Sequence, residues 1–496
     1  MGIVDTLFRR NKQPKKAARR SFQAAMFNRL VHDWITGQTS MDAEVRGAIG
    51  TLRNRSRDMV RNNPYAKNAM RAITNNVVGQ GIGLQAQVKM RRGNRLDNTT
   101  NSLIEAAWLD WCKKDSCHVG GLLSFHDIER LLMTSVPESG EVFIRLVKQR
   151  MGRSKVPLAL EVIESDLLDD QYNDTQAANG NEIRFGVERN QWGRPVAYHF
   201  LSKHPGDTHF TGNYRDRVRI PANEIIHLYR VERPGQTRGI PWLASAIIRL
   251  HQLQGFEEAE VIRARGEASL MGFITSPEAD AMTDATEGVD RVTTFEPGTI
   301  KQLLPGENFQ DFTPSRAGGQ FDPFVRAMLR SVAAGIGVSY EMLSKDYSQS
   351  NYSSSRLALL DDRDNWRVLQ QWLIATVHER IYDEWLDLAV LSGAINLPAY
   401  EANPALFKAA RWMARGWSWV DPAKEVAAYK EAVKAGFTTM TDVIAQSGGD
   451  VEDVMEARAR ELDMAEQLGL NFDTQVVQAA EPAAPAEQPQ QQIENE

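Results

Sequence analysis

The stretch RLALLDDRDNWRVLQQWLIATVHERIYDEWLDLAVLS, residues 356–392, decides how the chain is interpreted. It contains no Gly or Pro, and its large apolar side chains recur every three or four residues. That spacing predicts one long amphipathic helix. At about 1.5 Å per residue the helix would extend about 55 Å, well beyond the usual length in globular proteins. The apolar positions are Trp366, Leu369, Leu373, Val377, Ile381, Trp385 and Leu388.

The segments before this helix predict two further helices separated by an insert. Ile240-Pro241-Trp242 is expected to open a helix that reaches about Glu267, and a shorter helix is expected from Asp322 to Gly335. Between them, residues 269–320 form an insert with short strands and a net charge of −5, from eight acidic and three basic residues. The polar stretch Ser344–Ser355 predicts a loop.

The N-terminal half predicts a mixed α+β domain. Helices are expected within Phe22–Val78, over Asn101–Cys112 and from Ser124, which can cap its helix with Asp127 in the first turn. A last helical region is expected from Asp421 to about Leu468. The strands are expected at Leu84–Lys89, Val142–Val147, Leu158–Ile163, Ile183–Val187 and Val196–Leu201.

Bulk composition is that of an ordinary globular protein. The 496 residues are 42% hydrophobic and 25% charged, and the net charge of −6 does not indicate tight binding of nucleic acid. Two cysteines and no apolar run of about 20 residues predict a protein made in the cytoplasm, without a membrane span. A basic segment (1–21) and an acidic one (473–496) are expected to be disordered.

Several short stretches, in this order along the chain, resemble the lambda-type family of tailed-bacteriophage portal proteins. Each is a helix start, a strand or a turn, and the resemblance extends from about Asn63 to Phe472. The stretches are Asn63–Ala69 with Val78–Ile82, Glu138–Phe143, Glu161–Asp166, Ile225–Tyr229 with Arg233–Gly239, and Leu303–Glu307.

The resemblance implies a portal fold made of named parts. These are an α+β wing (22–239), a stem of two helices (240–268 and 321–337), a small α/β clip inserted between them (269–320), a tunnel loop (338–355), a long tunnel-adjacent helix returning to the wing (356–418) and a helical crown (419–472).

It also implies a structural protein without enzymatic activity, in a ring of twelve copies at the capsid vertex of the virion. Double-stranded genomic DNA would be packaged and ejected through the ring. The implied partners are the large terminase subunit, the head–tail connector or neck protein, and the major capsid and scaffold proteins. No cofactor is implied.

The charge pattern favours a channel that holds DNA weakly. An acidic clip would repel phosphates, and the loop carries one basic residue, enough for a transient phosphate contact. Lys345 is the first candidate for that contact, with Tyr347, Gln349, Asn351 and Tyr352 as secondary candidates. Without the resemblance, an ordinary solvated loop would be the better interpretation.

Patterns with possible chemistry favour structural explanations. Cys112, Cys117 and His118 lack the spacing and the second ligand pair of a zinc site, and Gly79, Gly81 and Gly83 follow a helix instead of a strand. No GxxxxGK[ST], GxSxG or HExxH motif is present in the sequence. The ATPase that drives packaging is therefore expected to be a separate protein.

Two acidic clusters leave a phage-encoded nuclease or terminase-like enzyme as the alternative function. Asp361, Asp362 and Asp364 lie beside arginines at helical spacing, which favours ion pairs, and Asp169-Asp170 favours a solvated turn. Three tryptophans, Trp412, Trp417 and Trp419, are expected to be core or interface anchors before they would stack on bases.

Overall fold

A computed structural model describes residues 36–90, 95–177, 179–207, 216–268, 272–275, 308–311, 321–417, 422–446 and 449–468. Helices and strands are both present, so the fold is a mixture of helix and sheet, as predicted. The helices are α1 (Met41–Val45), α2 (Ile49–Asn62), α3 (Pro64–Val77), α4 (Asn98–Trp111), α5 (Lys114–Cys117), α6 (Phe125–Ser139), α7 (Ile247–Ala268), α8 (Phe321–Ile336), α9 (Tyr340–Ser344), α10 (Tyr352–Leu373), α11 (Glu379–Leu391), α12 (Pro404–Phe407), α13 (Pro422–Lys434), α14 (Met440–Gln446) and α15 (Val451–Leu468). The strands are β1 (Gly83–Ala86), β2 (Glu141–Val147), β3 (Ala159–Ile163), β4 (Glu182–Arg184), β5 (Val187–Arg189), β6 (Pro195–Leu201), β7 (Arg217–Pro221), β8 (Ile225–Tyr229), β9 (Gly272–Thr275), β10 (Asn308–Asp311) and β11 (Ala410–Met413).

The predicted long helix is continuous from Tyr352 to Leu391. It begins four residues before the predicted Arg356, and a π-helical turn over Ile374–His378 joins α10 to α11. Most of its apolar positions are buried in the main core, as the spacing predicts. The fully buried ones are Trp366, Leu373, Val377, Ile381 and Trp385.

The helix expected from Ile240 begins instead at Ile247. The residues between them form turns, and the backbone N–H of Trp242 donates to the Pro137 carbonyl at 3.0 Å. This bond holds the segment against α6, so it does not continue the axis of α7. The second helix of the pair, α8, matches its predicted limits within two residues.

Helices α7 and α8 pack side by side through aromatic rings. The ring of Phe256 on α7 lies 5.6 Å from that of Phe321 and 4.7 Å from that of Phe324, both on α8. Between these helices, the described parts of the predicted insert are β9 and β10, which pair antiparallel. The remainder of residues 269–320 lies outside the described residues.

Two antiparallel sheets make up most of the β structure. One has the strand order β3-β2-β8 and the other β4-β5-β6-β7. Phe143 on β2 packs edge-on against Tyr198 and Phe200 on β6, with ring centroids 5.8 and 5.2 Å away. The two sheets therefore share a small second core beside the main one.

The prediction of one strand over Ile183–Val187 is wrong. The chain reverses at Phe185-Gly186, where both residues have positive φ (50° and 79°), so β4 and β5 form a tight hairpin. Turns of this kind suit right-twisted strands but normally use Asn or Gly. A buried Phe at the first turn position gave no turn signal in the sequence.

The remaining elements follow the sequence closely. Ser124 and Asp127 form a reciprocal capping box at the start of α6, as predicted. The strand after the glycine run is β1, shorter than expected, and it pairs with β11, where Leu84 lies opposite Trp412. The helical region from Asp421 comprises α13, α14 and α15. Residues 1–21 and 473–496 lie outside the described residues.

Candidate functional site

The predicted polar loop lies between α9 and α10 and is shorter than the sequence suggests. Ser344, expected in the loop, ends α9, and Tyr352 begins α10. The loop proper is therefore residues 345–351. Both boundaries are set by side-chain hydrogen bonds that a composition-based prediction does not detect.

Asn351 fixes the start of α10. Its side chain accepts the N–H of Ser354 at 2.8 Å, while the Ser354 hydroxyl accepts the N–H of Asn351 at 3.1 Å. This capping box occupies the amide oxygen of Asn351. Tyr352, the first helical residue, has an exposed side chain.

Lys345 ends α9 in the left-handed conformation, with φ 60° and ψ 19°. Its N–H donates to the Glu341 carbonyl at 2.9 Å, and its side chain is exposed, with Nζ 3.4 Å from the Met342 sulfur. Left-handed residues commonly close helices, although Gly usually takes the position. The turn directs the chain out of α9 and leaves the lysine at the surface.

The structure places the five candidate residues within one short segment. Tyr347 and Gln349 are exposed in the loop, between Lys345 and the helix start at Asn351 and Tyr352. Three candidates are thus loop residues, one is a helix cap, and one is the first residue of the helix.

Asp346 gives the loop a fixed negative charge that sequence reasoning missed. Its carboxylate accepts the Ser348 N–H at 3.0 Å and the Tyr340 hydroxyl at 2.8 Å, and lies 3.6 Å from Arg326 Nε. Hydrogen bonds from Ser348, then from Tyr340, lower the pKa of Asp346 to about 2. Asp346 therefore adds a fixed negative charge next to Lys345 in the chain, and its carboxylate contacts the Arg326 cation.

Asp362 anchors the start of α9 to the long helix. Its buried carboxylate accepts the N–H of Ser339 at 2.9 Å and the Ser339 hydroxyl at 2.6 Å. Burial raises the pKa of Asp362 above its usual value. The second acid of the Asp361-Asp362 cluster is therefore used in packing α9 on α10, while Asp364 pairs with Arg367 at 2.8 Å.

Asn68 anchors the other end of α9. Its Nδ2 donates to the carbonyls of Met342 and Leu343, at 2.8 and 2.9 Å. These are carbonyls of the last helical turn, which have no partner within the helix. Because Asn68 belongs to the stretch Asn63–Ala69, that stretch both begins α3 and positions the loop.

Glu141 is the centre of a buried ionic network. Its carboxylate contacts Arg53 at 3.1 Å, Arg238 at 2.6 Å and His227 at 2.9 Å, and it accepts the N–H of Gly239 at 2.8 Å. These partners come from α2, β8 and the segment before α7. The network therefore joins the sheet to the first of the two paired helices.

The same network brings together stretches that are far apart in the sequence. Arg53 also contacts Asp166 at 3.1 Å, and Arg238 donates to the carbonyl of Ser165 at 3.1 Å. The stretches Glu138–Phe143 and Ile225–Tyr229 thus meet at the Glu141 carboxylate, and Glu161–Asp166 joins them through Arg53 and Arg238.

Electrostatics keep Glu141 ionised despite complete burial. Burial alone would raise its pKa, but Arg238, His227 and Arg53 together hold the pKa far below the usual value. Burial lowers the pKa of His227. A charge this deep is tolerated because it is paired and fully hydrogen-bonded.

A second buried carboxylate, Glu129, lies beside the π-helical turn. It contacts His378 Nε2 at 2.5 Å and His126 Nδ1 at 2.8 Å, and accepts the N–H of Ile82 at 3.3 Å. His378 is fully buried. The Gly79–Gly83 turn is therefore fixed against α6 and the long helix, as expected of a structural turn.

The acidic cluster at Asp169-Asp170 leads into a turn, as predicted, but its first acid is not solvated. Asp169 is buried, and its carboxylate pairs with Arg217 Nε at 2.5 Å. Elsewhere in the described residues, Glu164, Asp166 and His204 are close enough to share a cation. Arginines already contact both carboxylates of that group, so ion pairing explains it.

The cysteines are buried thiols. Cys117 Sγ donates to the carbonyl of Cys112 at 3.5 Å. Burial raises the pKa of both thiols, to about 12 for Cys117. Two neutral thiols in an apolar core are poor metal ligands and poor nucleophiles.

Two of the three predicted anchor tryptophans pack inside the molecule. The ring of Trp412 lies 5.0 Å from His378 and 5.9 Å from Trp108, and that of Trp417 lies 5.9 Å from Trp366. Both are half-buried and pack against the main core, in agreement with the prediction of core or interface anchors. Trp419 lies outside the described residues. In the part of the chain that is described, no helix is long and apolar enough to cross a membrane.

Comparison with known proteins gives consistent matches along the chain. The family described as "Phage portal protein, lambda family" matches residues 27–370. A probable portal protein of Halomonas phage phiHAP-1 is 30% identical over 463 residues, covering 91% of this chain and 88% of its own length. Portal protein B of Escherichia phage lambda is 21% identical over 486 residues, covering 90% and 89%. Among solved structures, the neck of a native GTA particle, computed with C12 symmetry, has a TM-score of 0.47 and 15% identity, covering 79% of this chain and 92% of its own.

Proposed function

Because the chain belongs to the lambda family of phage portal proteins, we propose that it forms a ring at one capsid vertex through which double-stranded DNA enters and leaves. The observation that carries this proposal is the family match, which covers more than half of the chain. Portal proteins are structural proteins of the virion, so no chemical step is assigned to this chain.

We assign the parts of the ring as the resemblance implies. The wing is 22–239, the stem is 240–268 and 321–337, the clip is 269–320, the tunnel loop is 338–355, the long helix and its return to the wing are 356–418, and the crown is 419–472. The aromatic packing of Phe256 against Phe321 and Phe324 supports two stem helices acting as one rod. The antiparallel pairing of β9 with β10 supports a clip that leaves and re-enters that rod.

The loop between α9 and α10 is assigned to the channel wall. Lys345, Tyr347 and Gln349 are among its exposed residues, Asn351 ends it and Tyr352 borders it. Lys345 offers one cation beside the fixed charge of Asp346, so a passing phosphate meets a weak and transient contact. Such a contact suits a channel that must conduct DNA in both directions.

The energy for packaging is assigned to a partner. The sequence contains no GxxxxGK[ST] phosphate loop, so a large terminase subunit would supply ATP hydrolysis and dock on the ring. We further propose twelve copies per ring, assembly in the host cytoplasm with the major capsid and scaffold proteins, and later docking of a head–tail connector or neck protein.

Electron microscopy of the purified full-length chain tests the assignment. Negatively stained particles should be rings with a central hole wide enough for a DNA duplex. The competing function, a phage-encoded nuclease or terminase-like enzyme, predicts a monomer that cleaves DNA when Mg²⁺ or Mn²⁺ is added. A monomer with that activity would overturn the proposal.

A further inference from the structure

The outer side of α4 carries an apolar groove with a basic rim. It has a volume of about 480 Å³ and lies between α4, the residues before β3 and the segment that follows α11. We refer to it as the α4 groove. Its lining includes Leu103, Leu109, Lys113, Lys155, Val156 and Ala394.

Two leucines of the groove are open to solvent. Leu103 is 45% exposed and Leu109 is 61% exposed, although other residues of the same helix, such as Trp108, are fully buried. Each exposed leucine forgoes about 1–2 kcal/mol of burial free energy. A contiguous apolar face of this kind commonly marks a surface that another segment covers.

The rim of the groove is positively charged. Lys113 and Lys155 line the groove, and their side chains are 70% and 75% exposed. Lys113 and Lys155 both approach Asp110, at 2.7 and 3.8 Å, so two cations share one carboxylate. The surface therefore favours an occupant that is both apolar and acidic.

The chain itself contains a segment of that composition. Residues 469–496 include five acidic residues and no basic one. Their apolar side chains lie beside the first of these acids: Leu470, Phe472, Val476 and Val477 surround Asp473 in the sequence. These apolar and acidic side chains are complementary to the leucines and lysines of the α4 groove.

The segment is also long enough to reach the groove. Helix α15 follows α14, which lies near α4. Asp442 on α14 pairs with Arg411 on β11 at 3.3 Å. Strand β11 pairs with β1, and Glu105 on α4 accepts the N–H of Ala86 on β1 at 2.6 Å. The eighteen residues of α15 extend about 27 Å from there. Twenty-eight further residues can span up to about 90 Å, more than the return distance.

We propose that the acidic segment 469–496 docks in the α4 groove, on its own copy or on a neighbouring one. Tethering gives the segment a local concentration in the millimolar range, so weak apolar and ionic contacts suffice. While the segment is bound, the groove is closed to other proteins.

A photocrosslinking experiment on the full-length protein tests this proposal. A benzoylphenylalanine placed at Phe472 should crosslink to peptides containing residues 103–113 or 148–156. Charge reversal at the rim, Lys113→Glu with Lys155→Glu, should reduce that crosslink about tenfold, since two exposed ionic contacts become repulsive. Rings mixed from isotopically light and heavy copies show whether the crosslink joins one copy or two.

Neutralising the segment provides a variant that leaves α4 untouched. Asp473→Asn with Glu481→Gln and Glu487→Gln should lower the crosslink as the rim reversal does, and Lys434→Glu on α13 should leave it unchanged. Crosslinks to other surfaces, no crosslinks, or crosslinks insensitive to both sets of charges would overturn the proposal. The proposal would also be overturned if a benzoylphenylalanine placed in the groove crosslinked to co-expressed capsid or scaffold protein and not to the segment. A crosslink within one copy does not depend on whether rings form.

Discussion

Arg238 and Glu141 form an ion pair in which neither side chain is exposed to solvent, with Arg238 Nη2 2.6 Å from Glu141 Oε1. The pair connects β2 to the segment that leads into α7. Under the proposed assignment it lies where the wing meets the stem. Its arginine is part of the Arg233–Gly239 stretch, whose position in the sequence gave no sign of burial.

Replacing Arg238 should destabilise the fold strongly. Arg238→Met leaves Glu141 with fewer partners in the interior, and breaking a buried pair in this way costs about 3–5 kcal/mol. Urea unfolding of the variant measures the loss. The matched control is Arg233→Met, which breaks an exposed pair with Glu44 at 3.0 Å and should lower the free energy of unfolding far less, because water screens the pair. If both variants lost the same unfolding free energy, burial of the Arg238–Glu141 pair would not be the reason for its effect.

Glu188 should make stability depend on pH in the acidic range. Hydrogen bonds from Arg219, and then from Asn181, Asn179 and His199, lower the pKa of Glu188 to about 2. The folded-state pKa lies below the unfolded value of about 4.3, so this stabilisation is present above that pH and is lost as pH falls toward 2.

Glu188→Gln should therefore lower the free energy of unfolding by on the order of 2 kcal/mol at neutral pH. The difference between the two proteins should shrink as the pH is lowered from about 4. Urea unfolding of both proteins at pH 7, 4 and 3 measures this change. If the difference in unfolding free energy stayed constant with pH, the stabilisation would not come from the ionised Glu188 carboxylate.

Ser339 should control how firmly α9 is held. Its hydroxyl accepts the N–H of Met342 at 3.3 Å and donates to Asp362 at 2.6 Å, so Ser339→Ala removes a helix cap and an anchor together. The expected loss is about 1–2 kcal/mol. Because the helix frays locally, trypsin should cut faster after Lys345. Unaltered cleavage would indicate that Asn68 alone fixes the helix.

Gly239 should tolerate no side chain. A Cβ there would overlap the carbonyl oxygen of Gly140, a backbone atom that cannot move aside. Gly239→Ala should cost more than about 4 kcal/mol or prevent folding. Gly255→Ala is the control: nothing lies within 4 Å of its Cβ position on α7, so it should stabilise by about 0.5–1 kcal/mol. Thermal unfolding distinguishes the two.

Lys345 should affect the passage of DNA and not the assembly of the ring. Lys345→Ala removes the one cation of residues 345–351, so we expect intact rings with altered packaged length or retention of DNA. Lys434→Ala, at an exposed lysine on α13 that pairs with Glu431, serves as the control. Packaged DNA measured by gel electrophoresis, before and after heating the particles, gives the readout. Unchanged length and retention would remove Lys345 from the channel assignment.

The sequence predicts the helices better than it predicts their connections. Periodicity located α8 and the long helix because apolar spacing extends over many residues, and the Ser124 cap was evident from local chemistry. The start of α7 depends on a hydrogen bond to Pro137, far away in the chain. The Phe185-Gly186 turn places a buried phenylalanine at positive φ, and the Phe185 carbonyl accepts a hydrogen bond from the distant Arg238 at 3.0 Å.

The candidate loop was found from its composition, but its anchors were not. Asn68 and Asp362 contact α9 from other helices. Asp346 is held in place by the Tyr340 hydroxyl and lies beside Arg326. Glu141 likewise meets Arg53 across 88 positions of sequence. Such partners lie outside any sequence window, so only the three-dimensional arrangement reveals them.

The π-helical turn determines how α11 is rotated relative to α10 about the axis of the long helix. Leu373, Val377, Ile381 and Trp385 recur every four residues, a period that drifts by about 40° per step in a regular α-helix. The extra residue of the π turn compensates about 100° of that drift. If the same residues formed a regular α-helix throughout, α11 would be rotated by about 100° relative to α10. Trp385 would then leave Trp108, whose ring lies 5.1 Å away.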